Sequence, residues 1–100
     1  MIDRSDIIER LYEVEDPELG MNIIDLGLVY NVRQDSGKIF IDVSLTYPGC
    51  PFGPIIIESI QKKLTGTGEV QVKIIWEPPW NQNMIAEETL EELRFAGRIR

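Results

Sequence analysis

The stretch KIFIDVSLTY, Lys38 to Tyr47, restricts the fold more than any other part of the chain. Ile39, Ile41, Val43, Leu45 and Tyr47 occupy every second position, a period that a β-strand satisfies and a helix does not. All five are expected on one sheet face, with Lys38, Asp42, Ser44 and Thr46 on the other. Phe40 breaks the pattern and predicts that the second face is partly covered. A lone strand cannot bury such a face, so partners must follow. Leu28 to Val32 is apolar and β-prone, and QDSG supplies the turn chemistry of a hairpin between the two. Val70, Val72, Ile74 and Trp76 alternate against Gln71, Lys73 and Glu77 and predict a third strand.

Helical spacing accounts for the rest. Ile7, Ile8, Leu11 and Tyr12 form one apolar stripe, with Asp3 placed to cap its start. EDPELG stops that helix and predicts an acidic loop over Asp16–Asn22, because Pro17 restricts Asp16 and Gly20 frees the backbone. In PIIIESIQKKL, Ile56, Ile57, Ile60 and Leu64 share a face, and Pro54 fits the first turn, where no hydrogen bond is lost. TGTG ends this helix. EPPW breaks the third strand, and Met84 to Phe95 predicts a last helix closed by Gly97. The order αββαβα implies an α/β (α+β) two-layer sandwich with a small three-stranded mixed sheet. Strands two and three should run parallel through a helical crossover. Strand three either pairs with strand two or lies beyond strand one.

Composition sets the limits on function. One hundred residues fit a single domain spanning 1–100, and a chain of that size hides about two thirds of its unfolded surface. Apolar residues make up 43% and charged residues 27%, near the average for soluble globular proteins. No apolar run approaches the ~18 residues of a membrane span, and MIDRSDIIER has no secretory h-region; a cytoplasmic protein with no membrane partner is expected. The net charge of −7 leaves no cation pool to displace counterions from a phosphate backbone, which argues against nucleic acid. No histidine is present, so the commonest general base is missing.

The single cysteine, Cys50, cannot close an intrachain disulfide. It lies in TYPGCP, after the second strand and before the middle helix, where ligands bind in open α/β sheets. Amide protons and the dipole at a helix start favour an anion there, so a thiol can become a nucleophile or a metal ligand. The Thr46 hydroxyl is placed to donate to a thiolate across the loop. Gly49 and Gly53 permit close approach of a ligand, and Pro48, Pro51 and Pro54 stiffen the loop. The competing reading makes Cys50 a small core residue. For Asp16 and Glu18 the competing reading is an ordinary helix stop. Asp25, between Ile24 and Leu26, needs a partner if buried, and the amides near Cys50 are the expected one. Trp76 and Trp80, beside Pro78 and Pro79, read as a core lid or a partner surface, and Glu87, Glu88, Glu91 and Glu92 as a solvated helix face.

DPELGMNIIDLGLVYNV, then VSLTYPGCP, then PPWNQNMIAEETLEEL together resemble the metal-sulfur cluster assembly domain of the SufT and PaaD type, also found at the front of Mrp/ApbC iron–sulfur carriers. The resemblance covers nearly the whole chain. It implies an α/β fold, a role in maturing iron–sulfur proteins, and Cys50 as the functional residue. It also implies supporting roles for Asp16, Pro17 and Glu18 of the acidic motif, for Asp25 of DLGLV, and for Thr46. Ile85 stands where the family often has serine after Met84, which weakens a helix cap. These hundred residues carry no ATPase domain, so ATP-driven carriage is not implied.

Clusters take about four protein ligands, mostly thiolates, and one thiol cannot hold a cluster alone. Three routes stay open: a homodimer, a cluster or iron shared with a target, or a metal-free thiol that docks or exchanges with a partner. The expectation is therefore an adaptor or transient carrier with no tightly bound cofactor. Cys50 would be the exchangeable thiolate, and the only metal ligand, for iron or an iron–sulfur cluster held transiently. Glu18 or Asp25 would support it, and the partners would be scaffold or carrier proteins and apo-protein clients. An alternative is an accessory subunit of a multicomponent oxygenase, docking through Pro48, Pro51 and Trp80. A thiol enzyme fits less well, because no histidine serves as base and no second cysteine resolves a sulfenic acid.

Overall fold

The structure, a computed structural model, describes residues 2–98. Its elements are α1 (Arg4–Leu11), β1 (Glu15–Asp16), β2 (Met21–Asn22), β3 (Val29–Asp35), β4 (Lys38–Val43), α2 (Gly53–Lys63), β5 (Glu69–Ile74), a 3-10 turn (Gln82–Met84) and α3 (Glu87–Phe95). β3 and β4 form an antiparallel hairpin, and β5 joins β4 in parallel, which settles the sheet order as β3-β4-β5. This is the mixed three-stranded sheet and αββαβα order expected, with one addition: β1 and β2 pair as a short antiparallel ribbon where an irregular loop was predicted.

Burial follows the alternation. Ile39, Ile41, Val43 and Leu45 are buried on one face and meet Ile7 and Leu11 of α1, Ile56 and Ile60 of α2 and Leu93 of α3 in a single cluster. Fully hiding such a side chain contributes about 1.5–3 kcal/mol, so this layer is the main source of stability. Tyr47 departs from the expected pattern. β4 ends at Val43, the chain bends away, and the Tyr47 ring is 44% exposed. On the opposite sheet face Lys38 is exposed and Asp42 half-buried. Phe40 is half-buried there because the Arg33 guanidinium, its cross-strand neighbour, lies 4.6 Å from the ring centre, a cation–π contact rather than a covering element.

Smaller expectations are corrected. Asp3 occupies the N-cap position of α1, but its side chain makes no capping bond. The last helix begins at Glu87 rather than Met84, since the chain first makes the 3-10 turn, capped by the Asn81 side chain on the Asn83 amide. Trp76 lies beyond β5 and is 42% exposed. Glu87, Glu88, Glu91 and Glu92 are all exposed, as predicted. Among the described residues no helix is long and apolar enough to cross a membrane.

Candidate functional site

The cysteine loop starts as a tight turn. In Tyr47-Pro48-Gly49-Cys50 the Cys50 amide donates to the Tyr47 carbonyl at 3.2 Å, and Gly49 has φ +88°. Proline second and a left-handed glycine third is the pattern of a type II turn, which the letters YPGC encode. Its consequence is directional: Pro48, Gly49 and Pro51 face solvent, while Cys50 turns inward and is only 7% exposed, packed in the core cluster. The expected openly reachable thiol is therefore covered at rest. Gly53, expected to admit a ligand, instead lets α2 settle on the sheet: a Cβ there would lie 3.2 Å from Leu45 and 3.5 Å from Ile74.

The acidic motif is organised by its own turn. Asp16 is completely buried, and its Oδ1 accepts from the amides of Glu18 at 2.8 Å and Leu19 at 3.1 Å. This is the local carboxylate-to-backbone turn that Asp before proline favours. Its Oδ2 is buried with no partner, and so is Oγ1 of Thr46. Thr46 thus makes no bond to the Cys50 sulfur, contrary to expectation. These two atoms are the orphans among buried side-chain polar atoms of the described residues. A group of this kind loses about 1–3 kcal/mol of hydration without recompense.

Tyr47 links the two loops. Its hydroxyl is held above the ordinary value of 10.0, first by loss of surrounding water, then by the Glu18 charge, the Cys50 thiol, a hydrogen-bonding contribution from Glu18, and the Asp16 charge. Asp16, Glu18, Tyr47 and Cys50 are therefore one electrostatic neighbourhood, with Thr46 adjoining. Sequence reasoning missed Tyr47 because the period of two was carried on to Tyr47, four residues beyond Val43, where β4 ends. Since folding favours the neutral phenol, its stabilisation is present below pH 10 and is lost as pH rises through the folded-state value. Ultraviolet titration is expected to show a phenol ionising above pH 10 that Tyr47→Phe removes; unchanged curves would contradict this placement.

Other expected members make their contacts elsewhere. The Asp25 carboxylate accepts from the Asn22 amide at 2.9 Å, and the Asp25 amide donates to Asn22 Oδ1 at 2.8 Å, so its partner is Asn22 rather than the cysteine loop. Trp80 is half-buried, with its indole N–H on the Leu26 carbonyl at 2.7 Å, and fastens the 75–84 strap to the core as a lid. Among the described residues no three Cys, Asp or Glu side chains converge in a way that could hold a metal ion.

A family described as iron-sulfur cluster assembly protein matches residues 4–74. The chain belongs to this family. The match takes in both loops of the site and stops at the end of β5, before the Trp80 strap. Over 87 residues the chain is 41% identical to the Fe-S protein maturation auxiliary factor YitW of Bacillus subtilis, covering 83% of this chain and 85% of that one. It is 46% identical over 77 residues to the Fe-S protein maturation auxiliary factor SufT of Staphylococcus aureus, covering 73% and 88%. Among solved structures, a domain of unknown function (DUF59) from Bacillus anthracis superposes with a TM-score of 0.82 at 32% identity, over 96% of this chain and 92% of the other. The αββαβα fold described above is thus shared with that solved domain over nearly the whole chain.

Proposed function

We propose that this protein is a non-enzymatic, cytoplasmic auxiliary factor of iron–sulfur protein maturation that passes its cargo through the Cys50 thiolate. Family membership and relatives named for Fe-S protein maturation support the role. The observation that carries the site is the pair of buried, partnerless oxygens, Asp16 Oδ2 and Thr46 Oγ1, on the two loops that meet around Tyr47 beside the only thiol. Natural proteins seldom leave such atoms unbonded, and a functional role is one of the reasons they do.

The iron–sulfur cluster or iron is cargo, and one thiolate holds it incompletely. The remaining ligands come from a scaffold, an apo-protein client or a second copy of the chain. Incomplete ligation favours release. Cover over Cys50 fits the same task, since a thiol shielded from solvent is protected from oxidation until a partner displaces the turn at Pro48 and Gly49. Glu18, exposed beside it, is the group positioned to meet a partner first.

The test is activation of an apo-client by a cluster-loaded scaffold, with the protein present in substoichiometric amount. Wild type is expected to accelerate activation, and Cys50→Ala to lower that acceleration by at least tenfold while remaining folded. Equal acceleration by both would remove Cys50 from the mechanism.

A further inference from the structure

Away from the cysteine loop, the free edge of the sheet carries a groove. Among the described residues β3 pairs only with β4, so the backbone groups on its other side have no ladder partner there. Two clefts meet across that edge at Tyr30 and Asn31. One, of about 210 Å³, lies toward α1 and is lined by Ile8, Ile24 and Val29 together with Arg4. The other, of about 630 Å³, lies toward the 75–84 strap and is lined by Ile75, Pro78 and Met84 together with Glu77. Tyr30 holds the strap in place, donating from its hydroxyl to the Pro78 carbonyl at 2.7 Å. The β3–β4 register also shifts between Val29 and Asn31, an irregularity of the kind that turns a strand edge outward beside binding sites.

An uncovered strand edge is a template for another strand, and proteins normally blunt it. Here the two clefts share Tyr30 and Asn31 at that edge and have apolar linings, with a cation lining one and a carboxylate lining the other. Neither Arg4 nor Glu77 takes part in an ion pair among the described residues. The geometry points to a docking groove for an extended peptide segment of a partner protein, added as a fourth strand beside β3. That segment carries apolar β-prone residues at alternate positions, an acidic residue facing Arg4 and a basic residue facing Glu77. Main-chain bonds along the edge supply affinity, and the two clefts and their charges supply direction.

The groove is independent of the thiol. The test uses two blocked seven-residue peptides of alternating valine and threonine, one running from glutamate to lysine and one from lysine to glutamate, with a scrambled control. Binding is followed by backbone amide NMR on the full chain. Saturable shifts are expected along Tyr30 to Asp35, with one charge order binding at least fivefold tighter than the other. Glu77→Lys, at an exposed position, should erase that preference, and Cys50→Ala should leave binding unchanged, which separates this proposal from the function of the thiol. Shifts at β5 instead of β3, equal binding of the scrambled peptide, or no saturable shift would overturn it. So would concentration-dependent shifts without peptide, which would assign the edge to a second copy of the chain.

Discussion

Alanine at Gly27 is expected to lower the stability of the chain by about 2–5 kcal/mol, the sum of two effects of similar size. Gly27 has φ +74°, where a side chain costs about 1–2 kcal/mol. A Cβ there would also run into the carbonyl oxygen of Met84, backbone that cannot swing aside as a flexible side chain would. The neighbouring strap is pinned on both flanks, by the Trp80 indole on the Leu26 carbonyl and by the Ala86 amide on the Asp25 carbonyl, both at 2.7 Å. Moving Met84 means loosening those bonds. A domain of this size has about 5–15 kcal/mol in total, so the variant would lie near the edge of folding. Urea unfolding should show the midpoint falling with little change in slope. A midpoint within experimental error of wild type would mean that the strap does not sit on Gly27.

Asp16 is expected to give opposite results with two substitutions. Asp16→Leu removes the acceptor of the Glu18 and Leu19 amides, and the loss is expected to be about 1–3 kcal/mol for each group left buried without a partner. Asp16→Asn keeps a carbonyl oxygen for both amides and replaces only the orphaned Oδ2. Its stability should stay close to that of wild type, because both amides keep an acceptor and the buried NH2 replaces one partnerless polar group by another. Under the proposed function, delivery of cargo should nevertheless fall by an order of magnitude, since Oδ2 would then be lost from the bound state; stability surrendered at a functional site is a common trade. Chemical unfolding and client activation measured on the same two preparations decide the matter. An Asn variant that is both stable and fully active would make Oδ2 a structural defect with no role.

Much of this architecture was legible before any coordinates. Ile39, Ile41, Val43 and Leu45 announce a half-buried strand through side-chain period alone, and the helix stripes at Ile7/Leu11 and Ile56/Ile60 are equally local signals. What sequence did not reveal is mostly a matter of direction and pairing. The β1–β2 ribbon is only two residues per strand, too short to show a period. Tyr47 was misplaced because alternation says nothing about where a strand ends, and the apolar period runs on through Leu45 to Tyr47 after β4 has stopped at Val43. The inward turn of Cys50 depends on the hand of that type II turn, which YPGC allows but composition cannot display. Asp25 was recognised as needing a partner, yet the choice of Asn22 over the cysteine loop depends on a contact three residues away that only the folded turn creates. The orphaned oxygens of Asp16 and Thr46 are invisible in sequence, since the absence of a partner is a property of the packed state.

Iron and acid-labile sulfide content after anaerobic reconstitution is the most direct test of whether the Cys50 sulfur carries the cargo. The protein would be loaded with ferrous iron and sulfide, with and without an apo-client, and the metal eluting with the chain quantified for wild type and Cys50→Ala. Wild type should retain iron, more so when the client supplies further ligands, and the variant should retain less than a tenth as much. Equal iron and sulfide on both proteins would contradict the account.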